Sequence, residues 1–302
     1  FNTKNTLSDN QLKFNRPTSI RQYIQFIRYA IPLRERYSGK ISVCLPKKLE
    51  HLISSTEMFD HIYTCESTPN GKFLNKDACW LMLLSLPQYF RVSHNNPVYQ
   101  LPYLKAELER RKFWAQKIKQ PGKFIIGIQW QGNPKPEVSN LRGRSTQLST
   151  FACLADLPDV AFVSLQKGIG SEQLDTCPFR DKFVDCQDEI KDTWNFLNTA
   201  AIIKACDLII TIDSSTGHVA GGLGQHTYLM LTTAPDWRWG HAGTRTAWYP
   251  NTTLFRQKKR GDWDEVMQRI KKALHDKIAE HDSLNELWES MLDPNEKISE
   301  NR

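Results

Sequence analysis

The segment Leu208–Gly224 has the residue types and spacing best suited to chemistry, and it reads LIITIDSSTGHVAGGLG. Its apolar and β-branched start predicts a strand, and the small residues that follow predict a helix start. The first N–H groups of a helix lack intrahelical partners and carry partial positive charge, so they favour a phosphate. We therefore predict a phosphate site at Asp213, Ser215, Thr216, Gly217 and His218. The alternative is that Asp213 or Ser214 simply caps a buried helix.

Two other loops add basic side chains. Gly127–Arg144 is a strand followed by a Gly/Pro/Asn-rich loop that contains Gln131 and ends with Arg142 and Arg144. Guanidinium groups donate in a planar fork that suits a diphosphate, although a solvated basic loop is an equal alternative. Lys167 follows the predicted strand Val160–Leu165 and is a weaker phosphate candidate on the same grounds.

Aromatic residues cluster in Ala234–Trp239 (APDWRW) and Ala247–Pro250 (AWYP). Most of them are expected to pack in the core. Asp236, Trp237 and Arg238 are left as candidates for a sugar-positioning role in a cleft.

These candidate residues require a scaffold in which strand ends meet. Strand-length apolar runs alternate with helical periods along the chain, which predicts an α/β fold with parallel sheets and crossover helices. Ligands of such folds bind at the carboxyl ends of the strands. The predicted elements include a helix at Ser19–Arg36, a short strand at Phe183–Asp185, and helices at Asp262–Glu280 and Ser283–Met291.

The expected architecture is two Rossmann-like domains that face a cleft. The break Gln120-Pro121-Gly122 sets the predicted limits: an acceptor-side domain at 1–119, a nucleotide-sugar-binding domain at 120–280, and a C-terminal helix and tail at 281–302. That helix is expected to pack back on the N-terminal domain.

Composition restricts the class of protein. The chain has 302 residues, 40% hydrophobic and 24% charged, with a net charge of +7, which favours anionic ligands or an anionic membrane surface. None of the seven cysteines has C-x-x-C spacing, so reduced thiols are expected rather than a zinc site. We expect a cytoplasmic protein, with peripheral membrane association left open. Nucleic-acid binding is not expected, because no recognised module is present.

Several motifs together resemble glycosyltransferase family 9, in particular its heptosyltransferase-like branch that is often linked to tetratricopeptide repeats. They are SLQKG, TIDSSTGHVAGGLG, APDWRW, WYP, LFRQ and GDW, in this order. The resemblance is dense from about Ile125 to Ile270 and thinner before that. It implies a GT-B fold and an inverting, metal-independent transfer of a sugar from a nucleotide diphosphate donor, without a cofactor. The acceptor would be a glycan, a lipid or a protein.

The resemblance also implies roles for individual residues. Asp213, Ser215, Thr216, Gly217 and His218 fall on the family's donor motif, and Arg144 falls near a phosphate-contacting basic residue. The loop Glu189–Phe196 lies where the nucleotide base is usually held.

One position departs from the family pattern. In RPTSIRQYIQF, Gln22 stands where the family has the acidic residue that serves as the catalytic base. An amide cannot accept a proton as a general base. The catalytic residue is therefore unknown, with His94, Asp9 and His61 as guesses. The alternative function is a nucleotide-sugar-binding module that has lost catalysis.

Overall fold

A computed structural model describes residues 12–15, 19–66, 79–93, 102–137 and 143–292. It contains a four-stranded sheet of order β3-β2-β1-β4 and a five-stranded sheet of order β6-β5-β7-β8-β9. Every strand pairing in both sheets is parallel. The predicted α/β fold with parallel sheets is confirmed.

The N-terminal unit is built around the first sheet. Its elements are β1 (Leu12–Asn15), α1 (Ile20–Phe26), α2 (Ala30–Arg36), β2 (Ile41–Leu45), α3 (Glu50–Ser54), β3 (His61–Thr64), β4 (Trp80–Met82) and α4 (Leu86–Tyr89). Helix α5 (Leu108–Ile118) then leads to the second sheet.

The C-terminal unit is built around the second sheet. Its elements are β5 (Phe124–Gln129), α6 (Pro134–Glu137), α7 (Ala152–Ala155), β6 (Val160–Ser164), α8 (Gln187–Lys191), α9 (Phe196–Ala205), β7 (Leu208–Ile212), α10 (Ser215–Gly222), β8 (Thr227–Leu231), β9 (Thr252–Arg256) and α11 (Trp263–Leu292).

Burial explains why the second sheet follows its sequence pattern. Strands β5, β6 and β7 are buried at every residue, as expected for parallel strands covered on both faces by helices. The order places β7 between β5 and β8, so the loops after these three strands share one edge. This edge positions the loops that carry most of the candidate residues.

Three predicted elements differ in the structure. The helix predicted at Ser19–Arg36 is interrupted by a 3₁₀ turn at Ile27–Tyr29. The strand at Phe183–Asp185 is reduced to a single bridge between Phe162 and Phe183. The two predicted C-terminal helices form one continuous helix, α11, because no helix-breaking residue separates them.

The two units pack against each other through helices. Helix α1 lies against α10, and α5 lies against α9. Along α11, Lys271 pairs with Asp156, Ala273 accepts a hydrogen bond from Tyr228, and the ring of His281 contacts Phe124. These contacts all lie in the C-terminal unit and give no support to the expectation that the helix packs back on the N-terminal domain. The predicted domain limits stay a prediction.

Candidate functional site

The turn between β7 and α10 forms the centre of the site. Ser214 has extended backbone geometry, its Oγ accepts a hydrogen bond from the Thr216 N–H at 3.2 Å, and it donates to Gln129 Oε1 at 2.6 Å. Helix capping by Ser214, one of the two sequence alternatives, is therefore present. Ser215 stays partly exposed at the helix start, whereas the rest of α10 is buried.

Gly217 serves packing in this structure. A Cβ atom at this position would lie 3.1 Å from Leu229 Cδ1 and 3.4 Å from Thr211 Cγ2. The absence of a side chain therefore lets α10 lie close to β7 and β8. Gly217 was among the residues predicted to form the phosphate site.

Arg144 lies at the same strand end, as predicted. Its Nη1 donates to the Asp213 carbonyl oxygen at 2.8 Å, and its Nε donates to Glu137 Oε1 at 3.0 Å. The side chain is buried, and these two hydrogen bonds fix the orientation of its guanidinium group. A guanidinium group is thereby anchored beside the first turn of α10.

Arg21 reaches the same turn from the N-terminal unit, and the sequence analysis missed it. Its Nη1 donates to Asp213 Oδ1 at 3.0 Å, and its Nη2 lies 4.0 Å from Asp236 Oδ2. The contact joins residues 192 positions apart. No local motif marks such a residue, because its role depends on how the two units pack.

His218 is fully buried in the first turn of α10. Its Nδ1 and the Tyr249 hydroxyl share a hydrogen bond of 2.8 Å, and its ring packs against Trp239. Burial, reinforced by Arg21, Arg238 and Arg28, holds the pKa of His218 well below its usual range, so the ring is neutral at pH 7. The ring is covered by protein, and its Nε2 is the ring nitrogen without a protein partner.

Asp236 and Arg238 lie next to the same turn. Asp236 Oδ1 accepts from the Arg238 backbone N–H at 3.2 Å and from its Nη1 at 2.7 Å, while Arg238 Nε donates to Gln25 Oε1 of α1 at 2.5 Å. Trp237 is 60% exposed and contacts Trp248 edge-on. Arg21 thus links Asp213 to Asp236, which in turn pairs with Arg238, and Trp237 is exposed next to them in sequence.

Lys167 and Gln131 make other contacts. The Lys167 ammonium donates to the Thr193 carbonyl, to Thr193 Oγ1 at 2.7 Å and to Thr199 Oγ1 at 3.0 Å, and burial lowers its pKa to about 8. It therefore lies against the loop predicted to hold the nucleotide base. The Gln131 amide oxygen accepts from Gln173 Nε2 at 3.2 Å.

The residue at the family's catalytic-base position and the candidate base His61 lie in different parts of the fold. Gln22 Oε1 accepts a hydrogen bond from the Ser19 N–H at 3.0 Å, which makes it a helix-capping side chain. His61 is the first residue of the edge strand β3, at the amino end rather than the carboxyl end, so its place in the fold contradicts that guess. Asp9, His94 and Arg142 lie outside the described residues.

Within the described ranges, no group of three or more His, Cys, Asp or Glu residues is placed to hold a metal ion. No helix in this part of the chain is both long and apolar enough to cross a membrane.

Comparisons with known proteins concern both sequence and fold. No protein-family model matches the chain. Protein FlbA of Caulobacter vibrioides is 31% identical over 186 residues, which cover 58% of this chain. The chain spans only 29% of FlbA's length.

Solved structures match over most of the chain. A glycosyl transferase family 9 protein from Veillonella parvula has a TM-score of 0.65 at 11% identity, with 90% of this chain and 97% of that chain covered. The ADP-heptose lps heptosyltransferase II of E. coli has a TM-score of 0.63 at 13% identity, with coverages of 90% and 99%. The iron-containing heptosyltransferase TibC, in complex with ADP-D-beta-D-heptose, has a TM-score of 0.50 at 9% identity, with coverages of 85% and 65%. The chain therefore has the α/β fold of glycosyltransferase family 9 structures.

Proposed function

We propose that this chain is a glycosyltransferase that moves a sugar from a nucleotide diphosphate donor to a glycan, lipid or protein acceptor. The observation that carries the proposal is the anchoring of Arg144 on the Asp213 carbonyl at the start of α10. This places a fixed guanidinium group beside a helix N-terminus at the carboxyl edge of a parallel sheet, the usual ligand edge of such folds. TibC, a fold neighbour, is in complex with ADP-D-beta-D-heptose, which supports a nucleotide diphosphate sugar as the donor class.

The arrangement suits the departure of a nucleoside diphosphate. When the bond between the sugar and the diphosphate breaks, negative charge develops on the leaving phosphate. Arg144 and the start of α10 are preoriented where they stabilise that charge, and burial of the Arg144 side chain strengthens its effect. In this proposal the reaction is inverting and uses no metal ion or cofactor. It takes place in the cytoplasm, in solution or at a membrane surface to which the basic chain is attracted.

A second candidate function has a specific observation in its favour. Gln22 holds the position of the family's acidic residue, and its side chain is used for helix capping. Because an amide cannot take the acceptor's proton, the chain would then bind a nucleotide sugar without transferring it. The fold and the Arg144 site are common to both candidates.

A binding experiment tests the donor site. Calorimetric titration with ADP, GDP, UDP and CDP should reveal saturable binding of at least one of them. Arg144→Ala should weaken that binding by about 1–3 kcal/mol, since a hydrogen bond to a charged group is lost. Arg34→Ala is the matched control, because Arg34 pairs with Asp60 on the surface of the N-terminal unit. Unchanged affinity in Arg144→Ala, with intact circular dichroism, would contradict the proposed site.

A turnover experiment separates the two functions. The matching nucleotide diphosphate sugar is incubated with glycan, lipid and protein acceptors, and free nucleoside diphosphate is measured. Release above the rate in buffer supports the enzyme. Saturable binding of the donor without release supports the binding module.

A further inference from the structure

Arg21 connects the N-terminal unit to the turn between β7 and α10 in the C-terminal unit. It lies in the first turn of α1, and its side chain is 15% exposed. Both of its carboxylate neighbours, Asp213 and Asp236, belong to the C-terminal unit. The guanidinium group of Arg21 therefore sits between the two units, at the point where α1 faces α10.

Asp213 is an unusual side chain for a phosphate site. Its carboxylate is 6% exposed and would repel a phosphate bound at the start of α10. Arg21 nevertheless donates to this carboxylate, and Arg144 donates to the carbonyl of the same residue. Carboxylate and phosphate oxygens are equivalent acceptors for a guanidinium fork. The Asp213 carboxylate thus has with Arg21 the interaction that a bound phosphate oxygen would have.

Three buried nitrogen atoms on the elements that meet near Arg21 lack a protein partner and could donate to oxygen atoms of a ligand. His218 Nε2, Gln25 Nε2 and Trp239 Nε1 are buried without a protein hydrogen-bond partner. They come from α10, from α1 and from the 3₁₀ turn at Trp237–Trp239. Arg238 joins two of these elements, since its Nε donates to Gln25 Oε1. Buried nitrogen atoms of this kind are costly unless oxygen atoms satisfy them.

We propose that Arg21 is a ligand of the donor's diphosphate and that the Asp213 carboxylate is its internal stand-in when no donor is bound. The inference rests on the proposed function and adds a phosphate ligand from the opposite unit. On binding, a phosphate oxygen replaces Asp213 Oδ1 as the acceptor of Arg21 Nη1. The ligand thereby gains a hydrogen bond from Arg21, and the Asp213 carboxylate loses its hydrogen bond to Arg21.

Substitutions of Arg21 and of Asp213 should change the affinity for the nucleoside diphosphate in opposite directions. Arg21→Ala should weaken binding of the nucleoside diphosphate about tenfold or more, because a charge-assisted contact is lost. Asp213→Asn should strengthen binding about three- to tenfold, because the competing charge is removed. In the Arg21→Ala background the gain should lose the part that comes from freeing Arg21 and keep the part that comes from removing the repulsion between Asp213 and the phosphate.

The experiment is calorimetric titration of the full chain with the nucleoside diphosphate that binds best, and with the corresponding nucleoside. The variants are Arg21→Ala, Arg21→Lys, Asp213→Asn and the double variant. Arg34→Ala is the control, since it removes an arginine–aspartate pair of the same unit outside the cleft. Arg21→Lys keeps the charge and should fall between the wild type and Arg21→Ala. Affinity for the nucleoside should not change in any variant.

The outcomes separate this inference from the function on which it rests. If no nucleoside diphosphate binds the wild type or Asp213→Asn, the proposed function fails and this inference fails with it. If the wild type binds and Arg144→Ala weakens binding while Arg21→Ala does not, only the role of Arg21 is wrong. If Asp213→Asn weakens binding, or strengthens it equally with and without Arg21, the carboxylate is not a stand-in.

Discussion

Gln22 shows how one atom changes the chemistry at a position while the fold is kept. A glutamine and a glutamate have nearly the same shape, and either can accept a hydrogen bond from the N–H of a helix cap. In this structure Gln22 Oε1 performs that task with Ser19. The structural role therefore tolerates an acid, whereas the proposed catalytic role requires one.

Gln22→Glu is the resulting prediction at this position. A carboxylate in the first turn of α1 should keep the cap and interact favourably with the helix dipole, so stability should not fall. If the chain has lost its base, this variant should raise the release of nucleoside diphosphate from the donor by about 10²-fold, the lower range for general base catalysis. Urea unfolding and a coupled release assay measure the two effects. A variant that loses more than about 1 kcal/mol would contradict the capping role.

Residues of the site could be predicted from sequence only where one segment contains the signal. Asp213 follows a buried strand and Arg144 ends a basic loop, and both lie at the expected edge. Arg21 and Gln25 carry no such signal, because their partners lie about two hundred residues away. The solvent accessibility of side chains also could not be predicted. His218 has the expected position in α10, but Tyr249 and Trp239 cover it.

At the scale of elements, α10 depends on glycine for its packing. A Cβ atom at Gly221 would lie 2.4 Å from the Tyr249 ring, closer than non-bonded carbon atoms approach. The Tyr249 hydroxyl in turn meets His218 in the first turn of the same helix. The small residues of VAGGLG therefore let one tyrosine lie flat against the helix and reach its buried histidine.

Gly221→Ala tests this packing. Alanine favours a helix over glycine by about 1 kcal/mol, so an uncrowded position would be stabilised. We expect instead a loss of about 1–3 kcal/mol in the free energy of unfolding, the usual cost of overpacking. Gln268→Ala, on the exposed side of α11, is the control and should stay within about 0.5 kcal/mol of the wild type. A Gly221→Ala protein as stable as the control would show that the tyrosine moves aside freely.

Elements were predictable where burial alone determines them. Buried parallel strands such as β6 and β7 appear as apolar runs. The strand predicted at Val160–Leu165 is observed at Val160–Ser164, and β7 begins at Leu208 as predicted. Strand β9 (Thr252–Arg256) was not predicted, because two threonines and an arginine interrupt the apolar run at a sheet edge. The interruption of the first helix at Ile27–Tyr29 was also not visible, since its apolar period continues through the break.

At the scale of the whole molecule, Arg28 holds the two units together. It is fully buried in the 3₁₀ turn after α1, and its Nη1 donates to the Trp248 carbonyl of the C-terminal unit at 2.8 Å. Its Nε donates to the Gln25 carbonyl at 2.8 Å, and its Nη2 donates to the Tyr103 hydroxyl at 3.3 Å. The guanidinium plane also lies 4.8 Å from the Tyr249 ring centroid, close enough for a cation–π contact.

Arg28→Lys tests whether this fork fixes the relative position of the units. An ammonium group is a point charge and cannot reach three acceptors in different directions, so buried carbonyl groups lose their donor. We expect a loss of about 2–4 kcal/mol in the free energy of unfolding, as for broken hydrogen bonds to a buried charge. The Tyr103 and Leu104 N–H groups donate to the Gly222 carbonyl of α10. These two N–H groups should exchange with deuterium faster in the variant. Arg34→Lys, in a pair that is 36% exposed on both sides, should cost below about 1 kcal/mol. If Arg28→Lys costs no more than this control, the units are held by apolar packing, and the site at Asp213 does not depend on Arg28 for its alignment.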